Sequence, residues 1–387
     1  MTRSVSRSLR RFLWTALAAF LVVMLTEAAT AAGQGQTEAA KVTARLLAAP
    51  RIKTAPGFAA RIVVGPGQLY DSLQMVPHGS EIWLNDDGGE SEKGGGRLLA
   101  VGKAGEVREL TAPKDLLPGV GMDQAPDDFG SYGGQLFLLT QPAKGEQGIA
   151  ANHLIKRFNL QTQSLQPFCT LPPAGGAGHG VAGAGSALWF GPPHGSFGGR
   201  IFAVTTQNRM VYQATADGKC APFADFNRYG VPLDLTFTPD NQWMLVPVTP
   251  ANAAGAPDPG ARRGMIMKVS PRGEINPKPL VWGLRTPGGM AFAPVDFKWF
   301  GGQLFFTDLG EFQIPVPMTQ PLKRDAVVLR LSRAGVPKLV ASGFVNPLHM
   351  RFIGHKLWVS DLNGDFIGGR RELPDGFIVE IAATPTL

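Results

Sequence analysis

The 387-residue chain contains Gly 49 and Pro 32, only 17% charged residues, and a formal net charge of +7. Turn formers at that density, without a helical heptad pattern, exclude a helix bundle and predict all-β structure. Part of the positive charge sits in Arg3, Arg7, Arg10 and Arg11, and no basic run interleaves with aromatics, so a nucleic-acid binder is excluded.

In chain order, those arginines precede the apolar stretch Phe12–Leu25, and Ala29-Thr30-Ala31 supplies the small residues of a cleavage site. Residues 1–31 are predicted to be a signal peptide, which places the mature protein in the periplasm or outside the cell. The apolar run falls short of the ~20 residues that span a bilayer, so no stable membrane span is expected after cleavage. Residues 32–54 read as a flexible, Ala-rich leader and 55–387 as one β domain.

From Phe58 the pattern becomes short apolar strands. Phe58–Val64 stands alone. Leu73–Met75, Ile82–Leu84, Arg97–Val101 and Val107–Leu110 form a first group of four. Leu136–Thr140, Leu154–Phe158 and Leu165–Phe168 belong to a second. Ala187–Phe190, Ile201–Thr205, Met210–Ala214 and Ala221–Phe226 make a third. Leu233–Phe237, Trp243–Val248, Met265–Val269 and Lys278–Trp282 make a fourth, and Gly289–Phe292, Leu304–Thr307, Val327–Leu331 and Pro337–Ala341 a fifth. The last group, Leu348–Phe352, Leu357–Ser360 and Phe377–Ile381, has three strands.

A repeat runs through this series. Pro126–Phe137 reads PDDFGSYGGQLF, Pro192–Phe202 reads PPHGSFGGRIF, and Pro294–Phe305 reads PVDFKWFGGQLF. The spacing fits a unit of roughly 50 residues, the span of a four-stranded propeller blade. The predicted fold is therefore an all-β, six-bladed β-propeller, with Phe58–Val64 completing the three-stranded C-terminal blade so that no sheet edge is left open.

The segments predicted to carry function are the long polar loops Asn85–Gly96, Gln141–His153, Thr249–Gly264, Asp308–Ala326 and Asp361–Gly376, all expected on the face that carries the interblade connections. Asp308, Asp361 and Asn363 offer hard oxygen ligands suited to calcium; equally, each strand-end Asp can cap a turn. His349 lies on an inner strand, facing the channel or the core, and His179 lies in a Gly-rich connection. No Ser/His/Asp spacing, nucleophile elbow or phosphate loop is present. Cys169 and Cys220 are placed on outer strands of neighbouring blades at different heights, and are expected to be unbridged.

The segments APGFAARIVV (55–64), LQMVPHGSEIWLND (73–86), GLRTPGGMAFAP (283–294), SGFVNPLHMRF (342–352) and LWVSD (357–361) resemble glucose/sorbosone dehydrogenase-type, soluble quinoprotein-like propellers, and share strand patterns with NHL and gluconolactonase-like propellers. The resemblance implies sugar or polyol oxidation with pyrroloquinoline quinone and calcium, a histidine removing the hydroxyl proton, and an arginine polarising the quinone. It maps the arginine onto Arg285 and puts Thr286 where the family has asparagine. His179 is the candidate base, although the matching register falls on Gly183. Arg285 and His349 are the candidate cofactor-binding residues, with Asp308, Asp361 and Asn363 as metal ligands. The expected partner is a sugar-like small molecule. The competing readings are a non-catalytic ligand- or protein-binding propeller and a calcium-dependent lactonase.

Overall fold

Apolar strands in this chain alternate less than they run continuously, and the computed structural model shows why: each sheet is covered on both faces by another sheet. Residues 48–70, 72–86, 96–111, 119–140, 154–159, 161–162, 164–171, 187–206, 208–251, 263–310, 324–362 and 374–385 are described. The strands are β1 (Lys53–Thr54), β2 (Phe58–Leu69), β3 (Ser72–His78), β4 (Glu81–Asp86), β5 (Arg97–Val101), β6 (Val107–Thr111), β7 (Gly119–Gln124), β8 (Leu136–Thr140), β9 (Leu154–Asn159) and β10 (Ser164–Thr170). They continue with β11 (Ala187–Phe190), β12 (Arg200–Thr205), β13 (Met210–Thr215), β14 (Cys220–Asp225), β15 (Val231–Pro232), β16 (Thr236–Phe237), β17 (Met244–Thr249), β18 (Gly264–Val269) and β19 (Val281–Leu284). The last are β20 (Pro287–Phe292), β21 (Leu304–Asp308), β22 (Ala326–Leu331), β23 (Pro337–Phe344), β24 (Pro347–Ile353), β25 (Lys356–Asp361) and β26 (Gly376–Ala383).

They form six antiparallel sheets, β3–β6, β7–β10, β11–β14, β15–β19, β20–β23 and β24–β26, with β2 added to the last. This is the six-bladed propeller, closed by β2 on β26 with Arg61 opposite Glu380. The Arg61 guanidinium and Lys356 ammonium both reach the Glu380 carboxylate, at 3.3 and 2.8 Å. β1 adds a fifth strand to the fifth blade, pairing Lys53 with Ser342.

Six apolar clusters fill the six blade interfaces. Between the first and second blades lie Val76, Trp83, Met122 and Leu138, and between the sixth and first Val64, Leu84, Trp358 and Ile378. The second strands of the blades take the most cover: every residue of Leu136–Thr140 and Met244–Thr249 is buried. Outer strands such as Ser164–Thr170 are open to water.

The repeated Pro…Gly-Gly motif is the hairpin between first and second strands of the second, third and fifth blades. Its phenylalanines, Phe129, Phe197 and Phe297, are buried. Gly133 and Gly134 form a type II turn closed by Gln135 N–H on the Tyr132 carbonyl, 3.1 Å, with Gly134 at φ +77°, a region that costs glycine nothing. Gly301 and Gly302 repeat it, with Gly302 at φ +70°.

Two expectations change. β7 adds a strand that the apolar pattern does not predict, because its sequence, GVGMDQ, is neither apolar nor alternating; a Cβ on Gly121 would come within 2.5 Å of Leu188 N in the next blade, so close approach took precedence over β-propensity. Cys169 and Cys220 are joined in a disulfide with Cα atoms 6.1 Å apart. Each strand is rotated about 20–25° from its neighbour, so by the outer strand the blade has turned toward the plane of the ring and the two heights converge. The β13–β14 turn accordingly rides on β10, where a Cβ on Gly218 would lie 3.4 Å from the Phe168 carbonyl.

Blade spacing is also tight at Gly289, where a Cβ would meet the Leu348 carbonyl at 2.6 Å and Met350 N at 2.9 Å. Gly289→Ala is expected to push the fifth and sixth blades apart and lose about 1–3 kcal/mol, read as a lower urea midpoint at unchanged m-value; an unchanged midpoint would contradict this packing.

Candidate functional site

The inner strands bring polar side chains to the axis of the ring. Gln74, on β3, accepts the N–H groups of Met122 (2.9 Å) and Leu188 (3.0 Å) and donates to the Leu188 carbonyl (2.8 Å). Asp123, on β7, accepts from Phe190 N–H (2.9 Å) and from Arg351 Nη1 (2.9 Å). Arg351 also donates to the Met75 carbonyl (3.1 Å) and lies 4.9 Å from the centre of the Trp189 ring. Blades one and three, and blades two and six, are not neighbours in the ring, so these bonds can form only where all blades meet.

Asp234 completes this hub. It sits in the break between β15 and β16, where leaving the ladder frees the main chain to turn the carboxyl inward. Its Oδ1 accepts Trp189 Nε1–H and Leu235 N–H, both at 2.8 Å, and its Oδ2 accepts Met290 N–H at 3.2 Å. His349 Nδ1 lies 3.9 Å from Oδ2. Burial pushes the Asp234 carboxyl up to about 7, opposed by its three N–H donors and by the Arg351 charge. Burial also holds the His349 imidazole down at about 4, and neither ring nitrogen has a hydrogen-bond partner among the described residues. At neutral pH this contact is a neutral imidazole beside a carboxyl near its midpoint, not an ion pair.

The sequence-predicted residues are divided among separate places. His349 is in the hub. Arg285 and Asp308 meet where the fourth blade passes to the fifth, on the face of the interblade connections. Asp361 occupies the corresponding strand end of the sixth blade. His179 and Asn363 lie outside the described residues. Asp308 Oδ1 accepts Thr286 N–H (2.8 Å) and its Oδ2 accepts Arg285 N–H (3.1 Å). Asp361 does the same for Asn346 and Val345, at 2.9 Å each, and Asp86 accepts Tyr70 N–H at 2.9 Å. These carboxylates tie interblade connections to strand ends. Those amide bonds account for the position of Asp308 and Asp361 without a cation, and no group of three or more His, Cys, Asp or Glu side chains suited to a metal exists among the described residues.

Beside Asp308 opens a cleft of about 270 Å³ lined by Gly283, Arg285, Asp308, Gly310, Asp325 and Val327. Arg285 Nη1 pairs with Asp325 Oδ2 at 2.7 Å. Two carboxylates thus face one guanidinium. Pyrroloquinoline quinone carries three carboxylates, so this cleft does not fit it: the anion would meet a negative surplus, and among the described residues the one lining cation, Arg285, is already paired.

Sequence reasoning missed Gln74, Asp123, Trp189, Asp234 and Arg351. A signal was present: one or two polar residues interrupt the apolar inner strand in LQM, MDQ, LDL and LHMR. Nothing local said that these interruptions converge.

No protein-family model and no curated protein sequence matches the chain. Solved structures do. The soluble aldose sugar dehydrogenase of Escherichia coli in its apo-form superposes with TM-score 0.53 at 13% identity, over 84% of this chain and 100% of that one. The PQQ-bound aldose sugar dehydrogenase of Streptomyces coelicolor gives 0.52 at 14%, over 86% and 100%. A putative gluconolactonase gives 0.51 at 12%, over 86% and 98%. The fold is shared with these proteins.

The hub makes a pH test. Asp234, protonated more readily in the folded than in the unfolded chain, lowers stability as pH rises from about 4 to about 7; His349, protonated less readily, raises it from about 4 to about 6.5. The two slopes oppose each other. Asp234→Asn should leave stability rising across that window and His349→Gln should leave it falling, each by up to about 1.4 kcal/mol per pH unit. Denaturant titrations giving both variants the same sign would refute the assignment.

Proposed function

We propose that this protein is a propeller that binds a neutral, hydroxyl-rich small molecule, sugar- or polyol-like, at the crossover from the fourth to the fifth blade. The observation that carries the reading is the cleft itself. It sets a guanidinium, two carboxylates and the backbone of Gly283 and Gly310 around a space large enough for one sugar ring. Alternating fixed donors and acceptors reward hydroxyl groups, each able to give and take a hydrogen bond. Its surplus of one carboxylate over the guanidinium favours a neutral ligand over an anion. The fold shared with aldose sugar dehydrogenases agrees with this ligand class, and the basic-then-apolar amino terminus supports an exported protein. Among the described residues no helix is long and apolar enough to cross a membrane.

A tricarboxylate does not fit this cleft, so the reading stops at binding and includes no oxidation of the sugar through a quinone. A non-catalytic role is the second reading. It is favoured by the engagement of Asp308 and Asp361 with backbone amides, which leaves them to hold the ring together rather than to bind calcium.

Calorimetric titration with a panel of aldoses and polyols tests the proposal. Saturable binding is expected, weakened roughly ten- to hundredfold in Arg285→Ala, the range for losing a hydrogen bond from a charged donor. Absence of saturable binding across the panel, or an Arg285→Ala variant as tight as the native protein, would sink it. Dye reduction by the native protein supplied with pyrroloquinoline quinone, calcium and an aldose separates the readings: turnover would restore the quinone enzyme, and its absence alongside binding would favour the non-catalytic role.

A further inference from the structure

The described residues expose six large apolar side chains, Leu280, Trp282, Val295, Trp299, Val336 and Leu339. All six belong to the outer strand of the fourth blade and the residue before it, or to the fifth blade, while the described residues of the other four blades contribute none. Val295, Trp299 and Val336 sit in hairpins on the face opposite the interblade connections. Beside them a groove of about 380 Å³ runs between the two blades, lined by Trp243, Leu245, Leu280, Phe292, Leu304 and Leu331. The charged groups lining it are Lys268 and Arg333, and a second cleft is lined by Lys298, Trp299 and Pro385. Among the described residues no carboxylate lines either. Two exposed acids share this rim: Asp296, in the Val295–Trp299 tip and 3.4 Å from His355, and Asp240, in the Thr238–Trp243 turn; Glu274 faces Ser270.

The repeated hairpin provides an internal control. Pro294–Leu304 of the fifth blade and Pro126–Leu136 of the second correspond residue by residue. They share their turns and hydrogen bonds, Phe297 N–H to the Pro294 carbonyl matching Phe129 N–H to that of Pro126. Phe129 and Phe297 have nearly the same backbone angles. Yet the second blade has Asp127, Gly130 and Ser131 where the fifth has Val295, Lys298 and Trp299. Val295 is 88% and Trp299 69% exposed. Lys298 stands at φ +43° where its counterpart is a glycine at φ +54°, a conformation that costs a non-glycine residue about 1 kcal/mol or more. The fold does not ask for these side chains, since the second blade makes the same hairpin without them.

We propose that this rim of the fourth and fifth blades docks on the surface of an anionic bilayer. Tryptophan and valine at a protruding tip, flanked by lysine and arginine, match the membrane–water boundary, where aromatic rings settle at headgroup level and basic groups meet anionic phosphate. Charge decides the partner: Lys268, Lys298 and Arg333 outnumber Asp240 and Asp296 at this rim, so the apolar patch complements a negative surface, and a neutral bilayer gives those cations nothing.

The full chain and its Val295→Asp/Lys298→Gly/Trp299→Ser variant, which installs the second blade's own residues, are compared on two vesicle types. One is an equimolar mixture of phosphatidylglycerol and phosphatidylcholine, the other phosphatidylcholine alone. Amide hydrogen exchange reads residues 294–303 locally, independent of any hold by the amino-terminal apolar stretch. Protection there is expected on the mixed vesicles, not on phosphatidylcholine, and is expected to vanish in the variant. Lys298→Gly alone should weaken it about fivefold, the share of one basic side chain near such a surface. Equal protection on both vesicle types, none on the mixed vesicles, or unchanged protection in the triple variant would overturn the proposal. So would self-association of the native chain that protects the same residues without lipid.

Discussion

A blade of this ring cannot stand alone, because both of its faces are apolar. The second strands are buried throughout, and each sheet surrenders its water-facing side to a neighbour. At about 1.5–3 kcal/mol for each Leu, Val or Phe removed from water, one interface cluster outweighs any single polar contact. The favourable arrangement is then a cycle in which every blade has two neighbours, and a cycle must close. β2 supplies the closure by pairing with β26 along Phe58–Ile62 against Val379–Ala383. Without it, the sixth blade would lose its outer strand and the clusters on either side would open to water.

Closure also creates the hub. Once six inner strands share an axis, polar groups from blades that never touch elsewhere come within hydrogen-bonding distance. Gln74 reaches the third blade from the first, and Arg351 reaches the second from the sixth. Burial there is costly for charge, and the molecule responds in two ways. Asp123 is paired with Arg351 and amide donors, whereas Asp234 and His349 are driven toward their neutral forms. The mid-channel is thus a cross-brace between blades, and the polar cleft lies away from it, at a blade crossover.

The two faces of the ring differ for a related reason. Interblade connections must be anchored, and on their face Asp86, Asp308 and Asp361 do this through backbone amides, giving a polar surface. The opposite face carries hairpins between successive strands of one blade, several of them closed by their own backbone turns. Side chains at those tips are free to vary, and the second and fifth blades use one backbone to display quite different chemistry.

The blade count and the closing strand were readable from residues alone, because both rest on local patterns: short apolar strands, a repeated Gly-Gly turn, and an incomplete group at one end with a spare strand at the other. Where pattern and packing diverge, the sequence was silent. β7 is built of glycine and polar residues because it presses against the next blade, and the Cys169–Cys220 bond depends on a twist that accumulates across each sheet. Asp308 and Asp361 could be recognised as strand-end acids, but whether they faced amides or a cation turned on main-chain positions far along the chain. Asp234, Trp189, His349 and Arg351 come from three different blades. Their meeting is a consequence of the ring, and only the closed tertiary structure could decide it.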